Sequence, residues 1–148
     1  MIRQLCLLFT LSVAALTLHA AEPEMQVYKS ATCGCCGKWV EHLRANGFKV
    51  TVTEVSNVAE YRTKLGVPNN LASCHTGVVN GYAVEGHVPA REIKKMLEEK
   101  PNAVGLAVPG MPAGSPGMEM GYRVDPYDVL LFDKAGSTIV YGKYEASK

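Results

Sequence analysis

The sequence predicts an α/β fold, a mixed sheet flanked by helices, with an irregular extension and a closing hairpin behind it. Three observations predict it. Apolar alternation and apolar helical spacing trade places along residues 25–101 in the order strand, helix, strand, helix, strand, strand, helix. Asn80-Gly81 stands between two apolar runs, the strongest short hairpin signal. A tight group of cysteines, Cys33, Cys35 and Cys36, falls between the first strand and the first helix. A parallel strand pair followed by a hairpin makes a mixed sheet.

Each element has its own reason. Met25–Lys29 reads as the first strand. A helix follows from about Cys36 to Asn46, with Trp39, Val40 and Leu43 on one face, and Asn46-Gly47 ends it. His42 lies off that face beside Glu41 and Arg44 and is expected in solvent. Phe48, Val50 and Val52 alternate with Lys49, Thr51 and Thr53 as a second strand. Asn57 followed by Glu60 opens a second helix, whose apolar face is Val58, Tyr61 and Leu65, and Gly66–Asn70 stops it. The hairpin around Asn80-Gly81 joins Ser73–Val79 to Tyr82–Glu85. Pro89 suits a first helical position. Ile93, Met96 and Leu97 mark the third helix, and Pro101 bars its continuation. Residues 103–126 are rich in glycine and proline and carry Met111, Met118 and Met120; they read as irregular. Val129–Phe132 and Ser137–Tyr141, joined by Asp133-Lys134-Ala135-Gly136, form the closing hairpin.

The chain begins with a single charge at Arg3, an apolar run from Leu5 to Leu18, and a small, polar His19-Ala20-Ala21. This is the pattern of a secretory signal peptide, and the run is short of the roughly 20 residues that span a bilayer. Cleavage is expected near Ala20–Glu22. The organisation read from the chain is a signal peptide over 1–21, a folded domain over 22–101 and a C-terminal extension over 102–148. Cys6 leaves with the leader, so four of the five cysteines remain. They work outside the cytoplasm, where disulfides persist. Loss of Arg3 turns a net charge of +1 into balance, with 14 basic and 14 acidic residues. Nothing in that charge points to nucleic acid, or to a membrane after cleavage. No glycine-rich phosphate loop and no serine–histidine–carboxylate set stands out, which argues against nucleotide binding and hydrolysis.

The chemistry concentrates in Thr32-Cys33-Gly34-Cys35-Cys36-Gly37. Cys33 and Cys36 have the C-x-x-C spacing of a redox pair at a helix start, where free N–H groups and the helix dipole favour a thiolate. Thiolates attack disulfides, and they also bind soft metals. The order of elements resembles the thioredoxin fold. In that fold a proline loop before the third strand faces the C-x-x-C pair. Here Cys74-His75-Thr76 falls where Val-Pro-Thr is common, so His75 stands at the proline position. The resemblance then brings Cys74 and His75 against Cys33, Cys35 and Cys36. Four sulfurs with an imidazole exceed what a redox pair requires. They suit Cu(I), zinc or an iron–sulfur cluster. Adjacent Cys35-Cys36 fits a single tetrahedral zinc poorly and fits ordinary structural disulfides poorly.

Further segments extend the likeness: Tyr28-Lys29-Ser30, Glu85-Gly86-His87-Val88-Pro89, Gly105–Pro112 and Gly114–Glu119. With the cysteine motif and Ser73–Thr76 they resemble the CopG-type periplasmic copper-resistance proteins across essentially the whole mature chain. That resemblance implies a thioredoxin-like domain, an extension that helps bind metal, and a cysteine-bridged multinuclear copper cluster beside C-x-C-C. It also implies interconversion of Cu(I) and Cu(II) in the periplasm, in company with copper efflux or redox proteins. On this reading Cys33, Cys35, Cys36 and Cys74 are bridging thiolates for several copper ions in a monomer. His75, His87, Met111 and Met118 are candidate accessory ligands. Two other readings stay open: a metal-free thiol–disulfide oxidoreductase using Cys33 and Cys36, and a passive copper chaperone or buffer. The sequence does not separate a copper oxidoreductase from a carrier.

Overall fold

The computed structural model describes residues 21–146. The expected signal peptide therefore lies outside the described residues, apart from Ala21. Among them no helix is long and apolar enough to cross a membrane.

Seven strands form one mixed sheet in the order β2-β1-β3-β4-β5-β6-β7. The strands are β1 (Glu24–Lys29), β2 (Lys49–Glu54), β3 (His75–Val79), β4 (Tyr82–Glu85), β5 (Gly105–Ala107), β6 (Tyr127–Phe132) and β7 (Thr138–Tyr144). Helices α1 (Gly34–Ala45), α2 (Val58–Lys64) and α3 (Ala90–Glu99) connect them, with a short 3-10 turn at Asn69–Leu71. β1 runs parallel to β2 and antiparallel to β3, and β3 turns into β4 as an antiparallel hairpin. Asn80 and Gly81 both take positive φ, as a two-residue hairpin turn requires. This is the mixed α/β arrangement that the order of elements predicts.

Alternation along the strands gives the sheet two apolar faces. On one, Trp39, Val40 and Leu43 of α1 and Ile93 and Met96 of α3 pack with Met25, Val27, Val79, Val84 and Leu106. A smaller cluster joins Val67, Leu71, Ala83, Ala107 and Phe132. The register explains where a site can form. Lys29, the last residue of β1, pairs with His75, the first of β3. Glu85, the last of β4, pairs with Ala107, the last of β5. The cysteine loop after β1, the Cys74 segment before β3, the turn after β4 and the loop after β5 therefore all meet at one end of the sheet.

Several details differ from the sequence reading. α1 begins at Gly34, two residues early, so Cys35 and Cys36 lie in its first turn. Proline at 89 is the residue before α3, not its first. The apolar face of α2 is only half-buried; its buried residue is Arg62. Residues 103–126 are not wholly irregular, because Gly105–Ala107 forms β5. Three residues are too few to display a strand period. Through β5 the closing hairpin is joined to the main sheet by backbone pairing to β4 and β6.

Candidate metal centre

The Cys33 backbone N–H donates to the Ser30 carbonyl at 3.1 Å, which closes the turn after β1. Cys33 then stands immediately before α1, and its side chain makes no cap bond. Cys35 and Cys36 follow in the first helical turn, so local chain geometry alone groups three sulfurs. Cys33 and Cys36 are joined as a disulfide, with their Cα atoms 5.4 Å apart. Cys35 and Cys74 are free thiols. The Cys35 sulfur lies 3.5 Å from that of Cys33.

Cys74 arrives from the opposite side. The sulfurs of Cys33, Cys35, Cys36 and Cys74 all lie within 4.8 Å of one another. A second group shares Cys74: its sulfur and one ring nitrogen each of His75 and His87 also fall within 4.8 Å of one another. His75 Nδ1 is 3.3 Å from Cys74 Sγ, and His87 Nε2 is 3.1 Å from it. Both imidazoles are fully buried. The His75 ring packs on Trp39 of α1 at 4.2 Å between centroids and meets His87 edge-on at 4.9 Å. Among the described residues, His75 Nε2 is the one buried side-chain nitrogen or oxygen without a hydrogen-bond partner. Buried polar atoms nearly always have one, so an orphan here marks a site that wants a further polar partner.

Burial sets the protonation of these groups. It pushes the Cys74 thiol up to about 12, with the neighbouring Cys35 adding to the rise. It lowers His75 to about 3, aided by His87, and it lowers His87 as well. Both imidazoles are thus neutral at pH 7 and have a lone pair to offer a metal. Cys74 keeps its proton until a cation displaces it, because a metal binds the thiolate and releases the proton.

A buried ion pair fixes the Cys74 segment. Arg62 Nε donates to Glu85 Oε1 at 2.7 Å, and Arg62 Nη2 donates to the Ser73 carbonyl at 2.6 Å. The Ser73 backbone N–H donates to the same Glu85 oxygen at 2.6 Å, and the Thr76 hydroxyl donates to the other. Residues on both sides of Cys74 and His75 are thereby clamped to one carboxylate.

The extension closes the third side. His87 Nδ1 is 2.8 Å from the Pro116 carbonyl and donates to it, which leaves Nε2 facing Cys74 as the acceptor. Gly117, at φ +85°, lies against the first turn of α1: a Cβ there would come within 2.7 Å of the Cys35 carbonyl and 2.8 Å of the Trp39 nitrogen. Only glycine lets the extension approach this closely. Met118, next in sequence, is buried, whereas Met111 is 54% exposed. So the four cysteines, His75 and His87 come together, Met118 lies on the covering segment, and Met111 points to solvent.

Sequence reasoning assigned no role to several residues that shape this centre, although Glu85, Pro116 and Gly117 stand in segments that carry the family likeness. Arg62 was hidden by the apolar spacing around it, and its burial on a helix was the only clue a structure could add. Glu85, Pro116 and Gly117 carry no spacing signal. His42, expected in solvent, accepts a hydrogen bond from the Ala90 N–H at 3.1 Å and so ties α1 to the start of α3; burial lowers its pKa. Trp39 makes a second tie, donating from Nε1 to the Val88 carbonyl at 2.9 Å.

Two solved structures titled copper resistance protein copG, Form 1 and Form 2, superpose on the chain with TM-scores of 0.79 and 0.78. They are 50% and 49% identical to it, cover 84% and 82% of this chain, and are themselves covered over 99% and 98% of their length. The chain belongs to the CopG copper resistance protein family. A family model described as "Protein of unknown function, DUF411" matches residues 71–118. That span holds Cys74, His75, His87, Met111 and Met118, the wall facing the cysteine loop, but not the loop itself. No curated protein matches. As a CopG-family chain it carries a cysteine cluster compatible with metal binding.

Proposed function

We propose that this protein binds copper as its cargo, holding several Cu(I) ions in a cluster bridged by Cys33, Cys35, Cys36 and Cys74, and that it interconverts Cu(I) and Cu(II). The observation that carries this reading is the convergence of four sulfurs within 4.8 Å of one another. One Cu(I) is satisfied by two or three soft donors, so four sulfurs in one pocket have capacity for more, and bridging thiolates spread their charge over several cations. His75 and His87 supply nitrogen donors from the facing wall, and Met118 a thioether from the covering segment. Met111 stands at the exposed margin as the outermost donor. The names of the related structures support copper as the metal. Residues 1–21 are a leader, 22–101 the domain that carries the sulfurs, and 102–148 the extension that covers them; the mature protein works as a monomer in the periplasm. There it exchanges copper with efflux or redox proteins.

The Cys33–Cys36 disulfide favours a second reading, a thiol–disulfide oxidoreductase. That reading leaves Cys35, Cys74 and the two buried imidazoles without work. Copper and free thiols counted together on the purified, reduced chain separate the two. Several copper ions per chain, with all four thiols protected from alkylation, are expected. A metal-free chain that cycles Cys33–Cys36 with a reductant would overturn the copper reading.

A further inference from the structure

Residues 112–125 fold on themselves. The Asp125 backbone N–H donates to the Ala113 carbonyl at 2.9 Å, and the Ala113 N–H donates to the Asp125 carboxylate at 3.3 Å, so the two ends of the segment meet. Inside it, the Gly114 N–H donates to the Met118 carbonyl, the Ser115 hydroxyl to the Pro112 carbonyl and the Gly117 N–H to the Glu119 carboxylate. A compact loop with its ends together and its bonds turned inward is an Ω-type loop. Its attachments to the rest of the fold are few. Among the described residues, one hydrogen bond leaves it, from His87 Nδ1 to the Pro116 carbonyl at 2.8 Å. The other hold is the contact of Gly117 with the first turn of α1. Residues 115–118 are buried, whereas 119–123 are exposed, so little apolar surface anchors the loop. Segments with few buried contacts open most easily.

That single bond falls on a residue that also faces the metal centre. His87 Nε2 is 3.1 Å from Cys74 Sγ, while Nδ1 holds the loop. Resting on the copper reading, we propose that residues 112–125 are a cover that copper itself closes: an ion on His87 Nε2 tightens the Nδ1–H bond to Pro116, and the empty protein lifts the cover to admit copper. A cation on one ring nitrogen draws electron density from the N–H of the other, and charge-assisted hydrogen bonds are about twice as strong as neutral ones. A hydrogen-bond partner behind a metal-bound imidazole typically changes metal affinity by about 10–100-fold. The coupling is reciprocal: the factor by which the closed cover raises copper affinity is the factor by which copper favours closure. Loading therefore seals the site, and release waits for the cover to open. Glu119 shapes the edge of the cover by holding the Gly117 N–H.

The test uses the purified, reduced chain under anaerobic conditions, empty and loaded with Cu(I). Hydrogen–deuterium exchange over residues 112–125 should slow at least tenfold on loading. Met118→Leu keeps the packing of the loop but removes its buried thioether, and loading should slow exchange in that variant as well, because the link runs through His87. Cu(I) is then withdrawn with a bulky chromophoric chelator. The rate should level off as chelator is raised, since opening limits it, and Gly117→Ala should raise the plateau at least tenfold. Should Gly117→Ala fail to fold, Glu119→Ala changes only an exposed side chain and should raise the plateau at least threefold. Exchange that is the same empty and loaded, protection lost in Met118→Leu, withdrawal that stays proportional to chelator, or a plateau that the variant leaves in place would each overturn the cover while leaving the copper reading intact. A chain that binds no copper would bring down both.

Discussion

The two walls of the metal centre are built in opposite ways. On one wall, Cys33, Cys35 and Cys36 come from a single turn at the start of α1, and chain connectivity alone keeps their sulfurs close. On the other, Cys74 and His75 precede and open β3, His87 follows β4, and the Pro116 carbonyl comes from beyond β5. Nothing local holds that wall together. It depends on the β1–β3 register, the Arg62–Glu85 pair and the close approach of Gly117 to α1. The loop wall should therefore survive damage elsewhere in the fold, while the facing wall should fail whenever its distant supports do.

The largest effect should come from removing the atom both walls share. Cys74→Ser takes a sulfur from each donor group. Copper affinity measured by competition with a Cu(I) chelator should fall by more than the roughly 10–100-fold that supporting residues around a metal typically cost. Retained affinity would mean that the loop wall is sufficient by itself.

Next comes the clamp. Glu85→Gln leaves Arg62 buried and unpaired, and breaking a buried pair in this way costs about 3–5 kcal/mol. Urea unfolding should register that loss, and copper binding should weaken with it. The double change Arg62→Met with Glu85→Met removes both charges and should recover much of the stability. It should not restore copper affinity, because the hydrogen bonds to Ser73 and Thr76 are gone. Full recovery of both would show that the clamp stabilises the fold without placing Cys74.

Gly117→Ala tests the third support. The added methyl meets backbone atoms of Cys35 and Trp39, which cannot turn aside as a flexible side chain would. A loss of about 1–3 kcal/mol is expected from overpacking, together with faster proteolysis of the extension. An unchanged melting curve would show that the extension lies elsewhere in solution. The smallest effect should be at Met111, which is exposed. Met111→Leu should alter stability by less than about 0.5 kcal/mol and weaken copper binding only slightly, as befits the outermost donor; an unchanged copper affinity would remove Met111 from the ligand set.

The same contrast explains what could be read from the sequence. The loop wall was legible because C-x-C-C is a local pattern and a helix start follows it. Cys74 was legible through the Asn80-Gly81 hairpin, which fixes the register of β3 and hence the level of His75 beside Lys29. His87 was visible only as a histidine at a hairpin end, and its contact with Cys74 depends on the turn after β4. Arg62 was not legible at all, because a charged residue on a helix is ordinarily solvated and only its partner Glu85 makes burial tolerable. β5 was hidden by its length and by the glycines and prolines around it. Local geometry reads from sequence; a wall assembled from four segments does not.

The central claim is that the two walls enclose a shared copper cluster and not one isolated ion. X-ray absorption at the copper edge on the reduced, fully loaded protein tests it most directly. The account predicts copper surrounded mainly by sulfur, with a short copper–copper scattering shell that disappears in Cys35→Ser. Copper with sulfur and nitrogen neighbours but no metal–metal shell, at one ion per chain, would contradict it.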